Sequence, residues 1–229
     1  MVDSKEDPPV ITIDGPSGSG KGTIARQVAE KLGFRLLDSG SLYRAVALAS
    51  LNTRTSSDDA FAVAQIALTA PIDFVAHPET GEACVLLGGQ DVTRDLRREE
   101  VGEQASKIAT HVGVRDALLA RQRRWRQPPG LVADGRDMGT VVFPEAELKI
   151  FLTASAEIRA KRRHKQLIEK GMSANIGSLL ADIHKRDDRD YNRPVAPLKA
   201  AEDAISVDSS QLTIDQVVTK VLDLAKNRL

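Results

Sequence analysis

The chain has 229 residues, 41% of them hydrophobic, and its 32 basic and 32 acidic side chains cancel to a formal net charge of zero. Such a composition supplies a real core for one large domain or two small ones, and the charge balance excludes a chain built mainly to coat nucleic acid or anionic membrane. A single cysteine, Cys84, excludes an intramolecular disulfide and points to a reducing compartment.

Residues 1–9 carry Asp3, Glu6 and Asp7 without an apolar run, and read as a flexible tail rather than a targeting segment. No apolar run approaches the ~20 residues of a membrane helix, so a cytoplasmic protein is expected. His77, His111, His164 and His184 lie far apart with no Cys or His at ligand spacing, which predicts no zinc site.

The β-branched run Val10-Ile11-Thr12-Ile13-Asp14 predicts a buried strand. Gly15-Pro16-Ser17-Gly18-Ser19-Gly20-Lys21-Gly22-Thr23 stops it, and a helix opens at about Gly22 with Ile24, Val28 and Leu32 on one face. A polyphosphate needs several backbone N–H groups converging on it, which glycine allows. The helix start adds its unpaired amides and dipole, and Lys21 a mobile charge for the β- and γ-phosphates. The pattern G-x-x-x-x-G-K-[ST] holds through Lys21, then departs: Gly22 stands where a hydroxyl belongs and Thr23 follows. This G-x-x-G-x-G-K-G-T variant resembles the nucleoside monophosphate kinases more than GTPases or motor ATPases.

Gly33 stops the first helix, and Phe34–Asp38 predicts a second strand parallel to the first. A helix from about Leu42 to Leu51 follows, then a polar loop whose Ser57 can cap a helix over Ala60–Thr69, closed by Pro71. Ile72–Val75 and Ala83–Leu87 read as short strands of a hairpin joined through residues 77–81, with another turn at Gly88-Gly89. This antiparallel patch reads as an insertion that covers or shapes a site. Helical pattern resumes at Leu96 and runs in two segments, through Val101, Ala105 and Ile108, then Val114, Leu118 and Trp125, up to Pro128.

Leu131–Asp134, Leu148–Leu152 and Ala204–Asp208 predict three more strands. Between the last two lie a basic helix from Ser155 to Gly171 and a second charged helix ending near Arg193. Thr213 and Gln216 form a possible capping box for a final helix. The expected architecture is a doubly wound α/β fold, a five-stranded parallel sheet with a small antiparallel insertion. Its ligands should sit beyond the carboxyl ends of the strands, where Gly15, Asp38, Asp134 and Thr153 gather.

At this rim the chain resembles the bacterial cytidylate kinases. Three stretches carry the likeness: Asp38-Ser39-Gly40-Ser41-Leu42-Tyr43-Arg44, then Ala133-Asp134-Gly135-Arg136-Asp137-Met138-Gly139-Thr140 through Pro144, and Arg186-Asp187-Asp188-Arg189-Asp190 with Asn192-Arg193. The resemblance implies one kinase domain over 10–229: a core of 10–38, 131–154 and 194–229, a monophosphate-binding region over 39–130 with the insertion at about 71–100, and a helical lid over about 155–193. It implies phosphorylation of CMP and dCMP by ATP with Mg²⁺, small-molecule partners only, and a monomer.

Phosphoryl transfer spreads negative charge over a loose transition state, so catalysis rests on positioning and cations. Guanidinium forks suit phosphate oxygens, which singles out Arg44, Arg136, Arg186, Arg189 and Arg193; Lys21, Arg136, Arg189 and Arg193 are the candidate catalytic cations. Asp134, ending a strand, and Thr23 are the candidate Mg²⁺ partners. The resemblance further implies that Ser106, Arg115 and Asp137 face the cytosine, Arg186 and Asp190 the ribose, and Arg44, Arg136 and Arg193 the acceptor phosphate, with Ser39 supporting the pocket. Shikimate or dephospho-coenzyme A kinases need neither the insertion nor the arginine-rich second half. The absence of D-x-x-G and N-K-x-D speaks against a nucleotide switch. Scarce aromatics speak against a nucleic-acid role for Arg121–Arg126.

Overall fold

The computed structural model describes residues 7–76, 83–169, 171 and 173–229. The chain divides into two compact units, one running through Leu37 and again over Arg123–Leu229, the other over Asp38–Gln122. The link expected at residues 77–81 lies outside the described residues.

The first unit is built on a parallel five-stranded sheet of β1 (Val10–Asp14), β2 (Arg35–Asp38), β6 (Leu131–Gly135), β7 (Leu148–Thr153) and β8 (Ile205–Asp208), in the order β2-β6-β1-β7-β8. The central strand β1 pairs with β6 at Ile13↔Asp134 and with β7 at Ile13↔Ile150. All five β1 residues are buried, because a strand covered by helices on both faces has no solvent side. Helix α1 (Lys21–Leu32) lays Ile24, Ala25, Val28 and Ala29 on this sheet, and α8 (Ile214–Lys226) adds Val217, Val218 and Val221 to the same core. Helices this short are marginal alone, so burial of these faces is what holds them. Gly33, left-handed at φ 66°, ends α1, and the Phe34 amide donates back to the Ala29 carbonyl. The capping box of α8 is complete, with the Thr213 hydroxyl accepting from the Gln216 amide and the Gln216 side chain from the Thr213 amide. Helices α6 (Ala156–Glu169) and α7 (Ile176–Tyr191) connect β7 to β8.

Residues 7–9 differ from the free tail expected of them. The Pro8 carbonyl accepts from Arg126 Nε at 2.7 Å and the Pro9 carbonyl from the Leu131 amide. Extending β1 backwards satisfies backbone groups that a loose tail would leave to water.

The second unit packs α2 (Ser39–Asn52), α3 (Ala60–Thr69), α4 (Glu99–Ile108) and α5 (Val112–Arg123, whose last residue belongs to the first unit) beside an antiparallel sheet of β3 (Ile72–Ala76), β4 (Ala83–Leu87) and β5 (Gln90–Asp91). Leu42, Val46, Val63, Val101, Ile108, Val114 and Leu118 share its core. Three boundaries differ from expectation. Helix α2 starts three residues early, because the Asp38 carboxylate accepts from the Ser41 amide and hydroxyl and so turns Ser39-Gly40 into the first helical turn. Asp59, not Ser57, caps α3 through the Ala62 amide, since a cap must stand immediately before the first helical residue. The helix expected from Leu96 begins instead as a 3₁₀ turn over Asp95–Arg97, and extended backbone at Arg98 separates it from α4.

Candidate active site

The loop after β1 closes tightly on its neighbours. A Cβ at Gly15 would lie 2.1 Å from the Leu152 carbonyl oxygen, so only glycine lets the loop leave the sheet beside β7. Gly20 stands at the N-cap of α1 with φ 94°, and no side chain caps the helix. Its first amides therefore remain available to an anion. Lys21 is buried, donating from Nζ to the Pro16 carbonyl at 3.2 Å and standing 4.0 Å from Asp134 Oδ1.

Alongside lies a cavity of about 620 Å³, lined on one wall by Gly18 to Ile24 and on the other by residues of α6, the stretch before α8 and the start of α8, among them Arg162, Lys165, Ser209, Leu212 and Ile214. Its volume suits a nucleotide. Lys21 and the loop amides line one wall, and the other mixes the charged Arg162 and Lys165 with the apolar Leu212 and Val217.

Residue 22, where the usual motif has a hydroxyl, stands close to Asp134. A Cβ at residue 22 would come within 3.1 Å of Asp134 Oδ2, so a larger residue there would press on that carboxylate. Asp134 thus lies against the turn that carries Thr23. Together they offer one carboxylate and one hydroxyl, oxygen donors of the hard kind that Mg²⁺ takes, and the pair fits that ion.

Beyond β6 the chain makes a π-helical turn over Met138–Val142. Asp14, at the end of β1, holds it: its two carboxylate oxygens accept from the Met138 and Gly139 amides, each at 2.8 Å. Burial pushes the Asp14 carboxyl up to about 7 against the pull of these donors, with Asp137 and Asp134 adding to the rise. Asp14→Ala is expected to leave both amides buried without an acceptor, at a cost of about 2 to 4 kcal/mol. A thermal melt should show a loss of roughly 4 to 16 °C, and an unchanged midpoint would mean that the turn holds itself. Asp137, just before this turn, is buried, and its side chain makes no capping bond in it.

Arg136 donates from Nε to Asp190 Oδ2 at 2.9 Å. Burial alone would lower the Arg136 pKa, but Asp190 raises it on balance. Burial also pushes the Asp190 carboxyl up, but the charges of Arg136, Arg186 and Arg193 outweigh it and leave Asp190 below the ordinary carboxylate value. Helix α7 thereby gathers Arg186, Arg189 and Asp190, with Arg193 two residues past its end.

The second unit carries its own set. Arg44 on α2 donates to the Leu96 carbonyl at 2.6 Å and lies over α4 at Gly102, where a Cβ would meet its Nη2 at 2.8 Å. Ser106 is buried one turn further along α4. Arg115 is buried on α5, donates to the Ala109 carbonyl and lies 6.0 Å from the centroid of the Tyr43 ring. Ser39 is buried in the first turn of α2.

Sequence reasoning missed Asp14, Tyr43 and, above all, Arg159 and Asp187, which form a buried ion pair with contacts of 2.9 and 2.5 Å. Only the spacing of Arg159 from Arg162, placing both on one helix face, hinted at them.

A glycine loop closing on a lysine at the carboxyl edge of a parallel sheet, in a chain whose helix α7 carries Arg186 and Arg189, is the arrangement of a P-loop kinase. The family model for cytidylate kinase matches residues 11–227. The cytidylate kinase of Aeromonas salmonicida is 57% identical over 221 residues, spanning 96% of this chain and 95% of that one, and that of Burkholderia mallei is 58% identical over 214 residues, spanning 93% and 91%. The chain belongs to the cytidylate kinase family. Among solved structures, the shikimate kinase from Bacteroides thetaiotaomicron is similar at a TM-score of 0.47 and 14% identity, covering 95% of this chain and 98% of that one.

Proposed function

We propose that Gly15 to Thr23 cradle the phosphates of ATP, that Arg44, Arg136 and Arg193 hold the acceptor phosphate, and that Asp137, with Ser106 and Arg115, reads the cytosine. The chain is a nucleoside monophosphate kinase that phosphorylates CMP with ATP; dCMP is taken as a second acceptor. The observation that carries this reading is the family match over nearly the whole chain. The buried Lys21 at the mouth of a nucleotide-sized cavity supports it.

In this reading the amides at the start of α1 and Lys21 Nζ bind the β- and γ-phosphates, and the acceptor oxygen of CMP attacks in line. Arg189 and Arg193 add cations where charge develops on the transferring group. Asp190 holds Arg136 in place, and Arg186 and Asp190 face the ribose. Mg²⁺, bound with ATP and held by Thr23 and Asp134, directly or through water, would neutralise charge on the phosphate oxygens. A coupled assay with ATP and each of CMP, UMP, AMP and shikimate tests the assignment. CMP should be much the best acceptor, and preference for any other would overturn it.

Residues 155–193 are read as a lid that excludes water so that transfer outcompetes hydrolysis. Among the described residues of α7 only Asp187 and Asp190 are buried, so the rest of the helix has little packing to lose when it moves. Gly171, left-handed at φ 72° between α6 and α7, is its expected pivot. Limited proteolysis should cut this segment readily in the free enzyme and slowly with ATP and CMP together. Equal cutting in both conditions would remove the lid.

A further inference from the structure

Helix α6 reaches under the phosphate loop with a buried arginine. Arg159 is 4% exposed. Its Nε donates to the Ala154 carbonyl at 3.0 Å, Nη1 to the Ser17 carbonyl at 3.1 Å, and Nη1 and Nη2 grip the two oxygens of Asp187 on α7. Its aliphatic stem packs on the loop itself, since a Cβ at Gly18 would sit 3.4 Å from Arg159 Cβ. One turn later Arg162 Nη1 donates to the Ser19 carbonyl at 3.2 Å, and Ser209 Oγ lies 3.2 Å from the same oxygen.

These contacts fall on alternate carbonyls of the loop. In a trans peptide the carbonyl of one residue and the N–H of the next point in opposite directions. A guanidinium that holds the Ser17 carbonyl to the rear therefore turns the Gly18 N–H forward, and holding the Ser19 carbonyl does the same for Gly20. An unheld loop could rotate either peptide and turn a carbonyl toward the phosphates, where it would repel them. The fork geometry of arginine suits the task, because one side chain takes a backbone carbonyl and a carboxylate at once.

We infer that Arg159, fixed by Asp187, is a positioning residue for the phosphate cradle, holding the Ser17 peptide so that its neighbouring amide faces the nucleotide, with Arg162 doing the same at Ser19. Arg159 has this role only if the loop binds the donor phosphates as proposed above. Asp187 lies between Arg186 and Asp190 on α7, so the helix assigned to the acceptor side is tied through one buried ion pair to the donor cradle.

The test separates positioning from stability. Removing one partner of a buried ion pair strands the other charge, whereas replacing both with apolar residues of similar size is often neutral for stability. The double variant R159M/D187L is compared with the wild type in thermal melts, in steady-state kinetics, and in calorimetric titration with tripolyphosphate, which probes the cradle without a base or ribose. The melting point should hold while KM for ATP rises on the order of tenfold, tripolyphosphate binding weakens in parallel, and KM for CMP stays within about twofold.

A folded double variant with wild-type ATP kinetics and tripolyphosphate binding would reduce Arg159 to a structural pair. Should that variant not fold, R162M, whose side chain is only partly buried, goes through the same titration, and unchanged tripolyphosphate binding there overturns the inference. K21A serves as the control. Wild-type ATP kinetics in K21A would overturn both the loop's assignment and the role of Arg159, whereas a crippled K21A beside an unaffected double variant would overturn the role of Arg159 alone.

Discussion

Lys21→Ala is expected to abolish most turnover while leaving the enzyme folded and able to bind CMP. The amine sits between the Pro16 carbonyl and Asp134 at the head of α1, where the amides of the loop and the helix already favour an anion. Those backbone groups bind ground state and transition state alike. A mobile ammonium can follow the charge that builds on the oxygen between the β- and γ-phosphates as the bond breaks. Its loss should cost on the order of 10²-fold or more in kcat. The apolar core of the sheet, with Ile11, Ile13 and Ile24, keeps all its side chains in this variant. Rapid-quench or coupled assays give kcat, and calorimetry gives the CMP affinity. Near wild-type kcat would show that Lys21 does not serve the transferring phosphate, and lost CMP binding would show that the change spread beyond the loop.

Much of this was legible because the signals are local. The run from Val10 to Ile13 has the composition of a doubly covered strand, Ile24 and Val28 share a helical face, and Thr213 with Gln216 spells out its own capping box. What escaped depends on residues far apart in sequence. The pair of Arg159 and Asp187 looks from sequence like solvated charge on two basic and acidic helices, and only their packing, 28 residues apart, buries it. The grip of Asp14 on Met138 and Gly139 spans more than half the chain. The glycine at position 22 reads from sequence as the mark of a motif variant, and only the fold brings Asp134 beside it. The early start of α2 and the cap of α3 were errors that close reading could have avoided, since Asp38 and Asp59 stand immediately before the first helical residues.

Asp137→Asn is expected to erode the enzyme's choice of base. Cytosine offers an N4 amino donor where uracil offers an O4 acceptor, so a carboxylate at that edge attracts one base and repels the other. Asparagine can present either its carbonyl or its amide, and should tolerate both. A base contact of this kind is worth roughly 1 to 3 kcal/mol of discrimination. The ratio of kcat/KM for CMP over UMP should therefore fall on the order of 10-fold to 100-fold, with CMP losing more than UMP gains. The competing reading is that Asp137 merely caps the turn after Gly135 and Arg136. Its side chain makes no capping bond in the π-helical turn it precedes, although its backbone carbonyl accepts from the Val141 and Val142 amides. A structural cap would make both substrates suffer equally along with the melting temperature. Measuring kcat/KM for both nucleotides beside a thermal melt decides between them: an unchanged ratio in a stable variant removes Asp137 from the base pocket, and an equal loss in an unstable one makes it a cap.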